Sequence, residues 1–194
     1  MKTELKIVRH FIENKKPKTI REIAKQIEAD YRITYIAIQR LIEKRVLKVQ
    51  TVGKSSLCRL NEKYYGIEIY TAEDERRFGI LRNKNINQLY KEIMSKVKTS
   101  LFTLLLFGSY SKGKQTTSSD IDLLFISNEN NFESKISNIL SLLPLKTHAL
   151  VFTEEEFIRM KDSKTSNIIQ EAIKNNIILY GIETYYKLKN LLDM

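Results

Sequence analysis

Apolar residues recur along the first third of the chain at helical spacing. Leu5, Val8 and Ile12, with Phe11 beside them, predict an amphipathic helix over 3–14, ended by Asn14-Lys15-Lys16-Pro17-Lys18. Thr19 and Glu22 have capping-box spacing and open a second helix through Ile27, whose apolar face is Ile20, Ile23 and Ile27. A third helix is expected over about 33–44, with Ile33, Ala37, Ile38, Leu41 and Ile42 inward. The run Val46 to Val52, a turn at Gly53-Lys54-Ser55-Ser56 and the run Leu57 to Leu60 predict a hairpin. Residues 61–70 show no clean period, and a domain boundary is expected there. From Thr71 the pattern is charged and helical, with Gly79 and Asn83-Lys84-Asn85 dividing it. The second half buries Ile86, Leu89, Ile93 and Val97.

The pattern then changes to that of strands. Leu101 to Phe107 is apolar except for Thr103, which predicts a strand covered on both faces. Gly108-Ser109 ends it, and a polar loop with Lys112, Gly113 and Lys114 follows. A second strand, 120–126, opens with Asp120 and Asp122; the two-residue period puts both on one face, with Cα atoms roughly 6.6–6.8 Å apart. Phe132, Ile136, Ile139, Leu140 and Leu143 mark a helix that ends at Pro144, and Lys146 to Phe152 is a third strand. Thr153 with Glu156 caps the next helix, 166–175 is another, and 177–180 is a short apolar run closed by Gly181. A last helix from about Glu183 sets Tyr185, Leu188 and Leu192 on one face.

The chemistry is concentrated between Gly108 and Asp122. Small residues let backbone N–H groups approach an anion, and Lys112 or Lys114 adds positive charge. An acid inside an apolar strand, as Asp122 is, calls for a cation to neutralise it, and paired carboxylates can share a metal pair. The competing account is a strand–loop–strand whose acids only cap and solvate one end. Against it stand the spacing and the flanks: Gly108-Ser109, ten residues, then Asp120-Ile121-Asp122, with apolar strands on both sides and Tyr110 to Gly113 after the serine. This pattern resembles the polymerase-β-like nucleotidyltransferase superfamily, in its minimal nucleotidyltransferase branch, over roughly residues 85–190. The resemblance implies that Gly108, Ser109 and Lys112 hold a nucleoside triphosphate, with ATP the expected one. It also implies that Asp120 and Asp122 bind Mg²⁺ or Mn²⁺ and carry catalysis. Lys112 stands where family members often have Arg, keeping the charge and losing the bidentate fork. Members usually carry a third carboxylate on the next strand, but here that strand reads Lys146-Thr147-His148-Ala149-Leu150-Val151-Phe152 and has no acid. His148 is read either as a base or as a satisfied strand histidine. Glu154 is explained as a first-turn helix acid. A carboxylate placed at Thr147 or Ala149, whichever faces the pair, is expected to raise turnover if the site is merely weakened.

Charge extends the picture to the first third. Of the net +10 over 194 residues, residues 1–66 hold 16 Lys and Arg against 7 Asp and Glu, a local +9. That asymmetry suggests a basic module for a polyanion beside a near-neutral body. Three short helices and a hairpin resemble a winged helix-turn-helix. The resemblance implies that the third helix reads duplex DNA through Arg32, Tyr35, Gln39 and Arg40 and that Lys54 at the wing tip meets the backbone. An ordinary solvated face and a protein-contact role are the alternatives. Tyr31 is read as core or contact, and His10 as structural. One cysteine, Cys58, excludes an intrachain disulfide, the amino-terminal residues do not read as a signal peptide, and no apolar stretch reaches the ~20 residues of a membrane span. No membrane association and a cytoplasmic location are expected.

The fold class expected is thus α+β: a winged helix-turn-helix over 1–66, a connector helix over 67–84, and a nucleotidyltransferase domain over 85–194 with a small mixed sheet flanked by helices. The first functional reading is Mg-dependent transfer of a nucleoside monophosphate from an NTP to a protein or nucleic-acid hydroxyl. By resemblance, this includes the antitoxin role of a toxin–antitoxin pair, with a HEPN-type toxin as acceptor. The alternative is a DNA-binding transcription regulator whose nucleotidyltransferase domain only binds nucleotide or a partner. A third reading makes tRNA the acceptor.

Overall fold

The first helix, α1 (Thr3–Glu13), buries Ile7, Val8 and Phe11, one face of a regular helix. The computed structural model describes residues 2–53, 55–161 and 168–191. A two-residue strand β1 (Lys18–Thr19), invisible to any pattern of its length, leads into α2 (Ile20–Gln26). The expected capping box is formed: the Glu22 carboxylate accepts from the Thr19 N–H at 2.7 Å, and the Thr19 hydroxyl accepts from the Glu22 N–H at 3.3 Å.

The third helix, α3 (Tyr31–Glu43), starts two residues before the expected position because Asp30 is its N-cap, accepting from the N–H groups of Arg32 and Ile33. Its buried face is Thr34, Ala37, Ile38 and Leu41, at i, i+3, i+4 and i+7, so Ile33 falls beside that stripe and is exposed while Thr34 is buried in its place. The Thr34 hydroxyl meets the cost of burial by donating to the Asp30 carbonyl at 2.8 Å. Strands β2 (Leu47–Val52) and β3 (Ser55–Leu60) pair antiparallel out to Val52 and Ser55, so the hairpin turn is tighter than expected. Gly53 takes φ +59, as a two-residue connection requires. Strand β1 adds to the other edge of β3, giving the order β1-β3-β2. Cys58, in the central strand, is fully buried and burial pushes its thiol up.

The helix α4 (Ile67–Ile80) starts before Thr71, where the charged pattern begins. The chain divides into two compact units between Glu75 and Arg76, inside this helix.

In the second unit α5 (Lys84–Lys96) is capped by the Asn83 side chain and buries Ile86, Leu89 and Ile93, as its periodicity predicts, while Val97, expected with them, is its C-cap and only partly buried. Strand β4 (Thr103–Phe107) is buried along its whole length; Leu101, expected within it, lies outside and is exposed. It is followed by the short helix α6 (Gly108–Ser111), then β5 (Ile121–Ile126), α7 (Phe132–Ser141), β6 (Thr147–Phe152) and α8 (Glu154–Lys161). After residues 162–167 come α9 (Ile168–Lys174), β7 (Ile177–Tyr180) and α10 (Ile182–Asn190). The expected start of the helix at Ser166 and the expected contact at Leu192 lie outside the described residues.

The sheet order is β6-β5-β4-β7, with β4 antiparallel to β5 and β7, and β5 parallel to β6. This is a small mixed sheet with helices on both faces. Alternation divides its side chains. Leu104, Leu106, Ile121, Leu123, Phe125 and Leu179 pack with residues of α5 and α7. Asp122 belongs to the other face, since it is the alternate neighbour of Ile121 and Leu123. Gly181, at φ +78, lets the chain pass Phe102 and Thr103, where a Cβ would come within 2.8 Å of the Phe102 carbonyl. Among the described residues no helix is long and apolar enough to cross a membrane.

Candidate active site

A buried strand that ends in a sharp turn fixes the centre of the site. Strand β4 runs into Gly108, which takes φ +69, and Phe107 pairs in the ladder with Asp122 of β5. Gly108 and Asp122 are thereby pressed together: a Cβ on Gly108 would lie 2.0 Å from one Asp122 carboxylate oxygen and 2.9 Å from its Cγ. Only glycine satisfies both the backbone and the space. The turn after it is tied down by Ser111, whose single hydroxyl proton is shared between the Gly108 carbonyl at 3.0 Å and the Asn175 carbonyl, just past α9, at 3.1 Å. Ser109 is half-buried beside Gly108, and its carbonyl accepts from the Lys114 N–H at 3.0 Å.

Asp120 lies one residue ahead of β5 and is exposed, whereas Asp122 is half-buried within the strand. The Asp122 carboxyl is pushed up from its ordinary range, chiefly by burial, with the charges of Asp120 and Glu171 adding to the shift. His148 opposes it. Parallel pairing sets His148 directly beside Asp122, and the two side chains approach to 3.7 Å, an ion-pair distance longer than a hydrogen bond. This register corrects the expectation about the third strand. Side chains in register share a face, so His148 faces Asp122, while Thr147 and Ala149 point the other way. Ala149 packs on the core beneath α7. Glu154 is the first residue of α8, beside the Thr153–Glu156 capping box, and its N–H is taken by the Asn128 side chain.

Lys112 follows the turn, and its ammonium pairs with the Glu171 carboxylate of α9 at 2.8 Å. Glu171 is the residue that sequence reasoning missed. Its helix is separated from the motif by some fifty residues of chain, and nothing local marks it out. A cleft of about 770 Å³ opens from this end of the sheet between α7 and β6, bordered by Asp120, Lys146 and His148 and floored by Ala149, Val151 and Ile136.

The residues present suit a hard divalent cation. Asp122 is an oxygen donor whose burial and neighbouring charges make its negative form costly, and a cation removes that cost. Among the described residues no three His, Cys, Asp or Glu side chains converge closely enough to hold an ion by themselves. That donor set fits Mg²⁺, which is commonly held by one or two carboxylates together with substrate phosphates rather than by a cage of protein ligands.

The family model described as Polymerase beta, Nucleotidyltransferase matches residues 80–185. The chain belongs to this family. Its matched region begins near the end of α4 and includes the Gly108 turn, both aspartates, His148 and Glu171. Over 60 residues, 31% of its length, the chain is 42% identical to the candidate protein adenylyltransferase MJ1379 of Methanocaldococcus jannaschii. It spans 58% of that curated relative, less than two thirds. A crystal structure of a toxin–antitoxin with AMP-PNP is similar at a TM-score of 0.39 and 22% identity, covering 55% of this chain and 82% of that one. A candidate nucleotidyltransferase from Sulfolobus solfataricus is similar at a TM-score of 0.35 and 21% identity, covering 57% of this chain and 88% of that one. At these scores neither structure bears on the detail of the site.

The residues expected on DNA lie in the first unit. Arg32 and Tyr35 are exposed on α3, Gln39 is half-buried, and Arg40 is exposed with its guanidinium 3.5 Å from Glu4 of α1. Ile36, which the sequence reading passed over, is exposed between them. Lys54 lies outside the described residues. His10 is half-buried against the Phe11 ring, and its Nε2 is buried without a hydrogen-bond partner.

Proposed function

We propose that this chain transfers a nucleoside monophosphate from a nucleoside triphosphate to a hydroxyl on another macromolecule. The observation that carries this reading is the contact of Gly108 with Asp122, which joins an anion-approachable turn to a half-buried acid within a nucleotidyltransferase family sequence. Gly108 and Ser109 receive the distal phosphates, Lys112 neutralises them, and Asp120 and Asp122 hold divalent ions, Mg²⁺ or Mn²⁺. When bound, the ions supply Lewis-acid polarisation of the α-phosphate and offset charge on the leaving group. The acceptor hydroxyl oxygen attacks the α-phosphorus, its proton is released to solvent, the bond to the oxygen bridging to the β-phosphate breaks, and pyrophosphate departs. The acceptor approaches along the sheet face where His148 stands beside Asp122. ATP as donor and a protein as acceptor are favoured by the name of the relative in Methanocaldococcus jannaschii, and the family resemblance adds a HEPN-type toxin as the partner. A tRNA acceptor is the competing outcome.

The first unit is proposed to bind duplex DNA as a winged helix-turn-helix. Supporting this are the order α1, α2, α3 and hairpin, the +9 charge over residues 1–66, and an exposed α3 face of Arg32, Tyr35 and Ile36 with the half-buried Gln39 beside it. Arg and Gln suit guanine and adenine edges, and Ile36 offers apolar contact to a thymine methyl. The second reading, a DNA-binding regulator that only senses nucleotide, draws on one observation: the group facing Asp122 from β6 is an imidazole and not an acid.

The test is thermal denaturation of the full chain with Mg²⁺, with NTP, and with both. Stabilisation by the pair should exceed the sum of the two alone, because the phosphates complete the metal's ligand set. Asp120→Asn or Asp122→Asn should abolish the excess, and Ser109→Ala should reduce it. An equal response to NTP with and without the ion would remove the transferase reading, and no response to NTP in either case would remove the sensor reading as well.

A further inference from the structure

The geometry points to Glu171 as a built-in competitor of the triphosphate: it occupies the ammonium of Lys112 until phosphate displaces it, and so sets nucleotide affinity. This inference rests on the proposed nucleotide site and names a residue that the site motif does not contain.

The Lys112 ammonium is 2.8 Å from a Glu171 carboxylate oxygen, so the cation nearest the Gly108 turn along the chain is already paired. Glu171 does not reach it by accident of a loose chain. The Ser111 hydroxyl lies within hydrogen-bond distance of both the Gly108 carbonyl and the Asn175 carbonyl just past α9 and shares its one proton between them, which sets the end of α9 beside the turn. Glu171 lies one helical turn before Asn175, and its side chain is about half exposed, at 51%. It is therefore free to rotate into solvent while the helix stays where it is. Glu171 is also close enough to Asp122 for its charge to raise that carboxyl. A triphosphate entering at Ser109 and Lys112 meets this carboxylate in one of two ways. If Glu171 stays, phosphate oxygens stand beside a like charge. If it leaves, the ion pair is lost and an acid remains unpaired. Both routes weaken triphosphate binding, and neither touches the nucleoside.

The experiment is isothermal calorimetry on the full chain with Mg²⁺ and a non-hydrolysable ATP analogue bridged by carbon between the α- and β-phosphates. Inorganic tripolyphosphate and adenosine serve as further probes. An exposed ion pair of this kind corresponds to a gain of about two- to five-fold in Kd when the competitor is neutralised. Glu171→Gln should therefore tighten the analogue and tripolyphosphate by that factor and leave adenosine unchanged. Glu171→Asp should stay closer to the parent. In a Lys112→Ala background Glu171→Gln should lose most of its effect, since the contested cation is gone. Unchanged or weaker analogue binding by Glu171→Gln, with the parent chain binding normally, overturns the assignment and leaves the nucleotide site standing. The same holds for an undiminished gain in the Lys112→Ala background. Failure of parent and variant alike to bind any triphosphate removes the site and this inference together. Binding by the variant alone is the strongest form of support.

Discussion

Gly108→Ala tests the contact on which the site is built. Gly108 has φ +69, and a non-glycine residue in the left-handed region costs roughly 1–2 kcal/mol. Gly113 in the same loop has φ +64 and nothing within 4 Å of its missing Cβ, so Gly113→Ala carries that backbone cost alone. Gly108→Ala carries more. Its Cβ would be 2.0 Å from the Asp122 oxygen, 2.9 Å from Cγ and 3.2 Å from Cβ. Turning the carboxylate about its last bond moves the oxygen and leaves Cγ too close, so the whole side chain has to leave its well. Such a displacement costs about 0.5–1.5 kcal/mol, giving about 2–3 kcal/mol for Gly108→Ala in all. Urea unfolding of the full chain followed by circular dichroism should thus rank Gly108→Ala below Gly113→Ala by about 1 kcal/mol. In an Asp122→Ala background the offending Cγ and oxygens are absent, and the difference should shrink to about 0.5 kcal/mol or less. Two outcomes refute the reasoning: equal costs for the two glycines in the parent chain, or an excess that persists without the Asp122 carboxylate. Gly108→Ala should also lose the joint stabilisation by NTP and Mg²⁺ that Gly113→Ala keeps.

Asp122 holds its proton more tightly in the folded chain than at its ordinary value of 3.8, so its negative form costs stability. Without divalent ion, that cost should set in as pH rises through the raised value; Asp122→Asn should be the more stable protein at neutral pH, and the gap should close below the ordinary value, read as Tm against pH. His10 behaves oppositely, since burial first and Lys18 next lower it from 6.5; stability should fall as pH drops through the lowered value, and His10→Leu should flatten that fall. His148→Asp, and not an acid at Thr147 or Ala149, should raise transfer measured with labelled NTP if the site is a weakened enzyme, because only residue 148 faces Asp122. This chain should bind duplex DNA with steep salt dependence, and Arg32→Ala should lower sequence selectivity in a competition gel shift; no binding at low salt would end the DNA-reader proposal.

Most element positions were legible because their causes are local. A capping box needs four adjacent residues, and both boxes, at Thr19 and at Thr153, are formed as their spacing requires. The buried faces of α5 and α7 follow from periodicity within a dozen residues. What stayed hidden is what two distant segments decide between them. The register of β5 on β6 determines that His148 and not Thr147 meets Asp122, and a one-residue slip would exchange them without altering either strand's sequence pattern. The Lys112–Glu171 pair is likewise a product of packing α9 beside the turn. The misplacement of Ile33 had a local cause that was overlooked: the regular i, i+3, i+4, i+7 stripe through Ala37, Ile38 and Leu41 begins at Thr34, a polar residue, and leaves Ile33 beside it.

The group across from Asp122 is where the transferase and sensor readings separate, and electrostatics says how. Asp120, Asp122 and Glu171 already place three acids around one turn, against the cation of Lys112. A further carboxylate on β6 would supply another oxygen ligand, but before metal arrives it would add repulsion toward a triphosphate that is itself strongly negative. An imidazole at that place removes the added repulsion and can donate toward Asp122 or phosphate, at the loss of a hard oxygen for Mg²⁺. On the proposed reading, His148 therefore shifts the site toward holding nucleotide and away from a full set of protein ligands for a metal pair. If transfer occurs, the missing oxygen has to come from the acceptor or its protein, which makes turnover conditional on the right partner. On the proposed reading, the parent chain should bind NTP and Mg²⁺ without an acceptor while hydrolysing little of it, and His148→Asp should bind more weakly in the absence of metal and turn over faster in its presence. A variant that binds and turns over like the parent would mean that residue 148 plays no part in either.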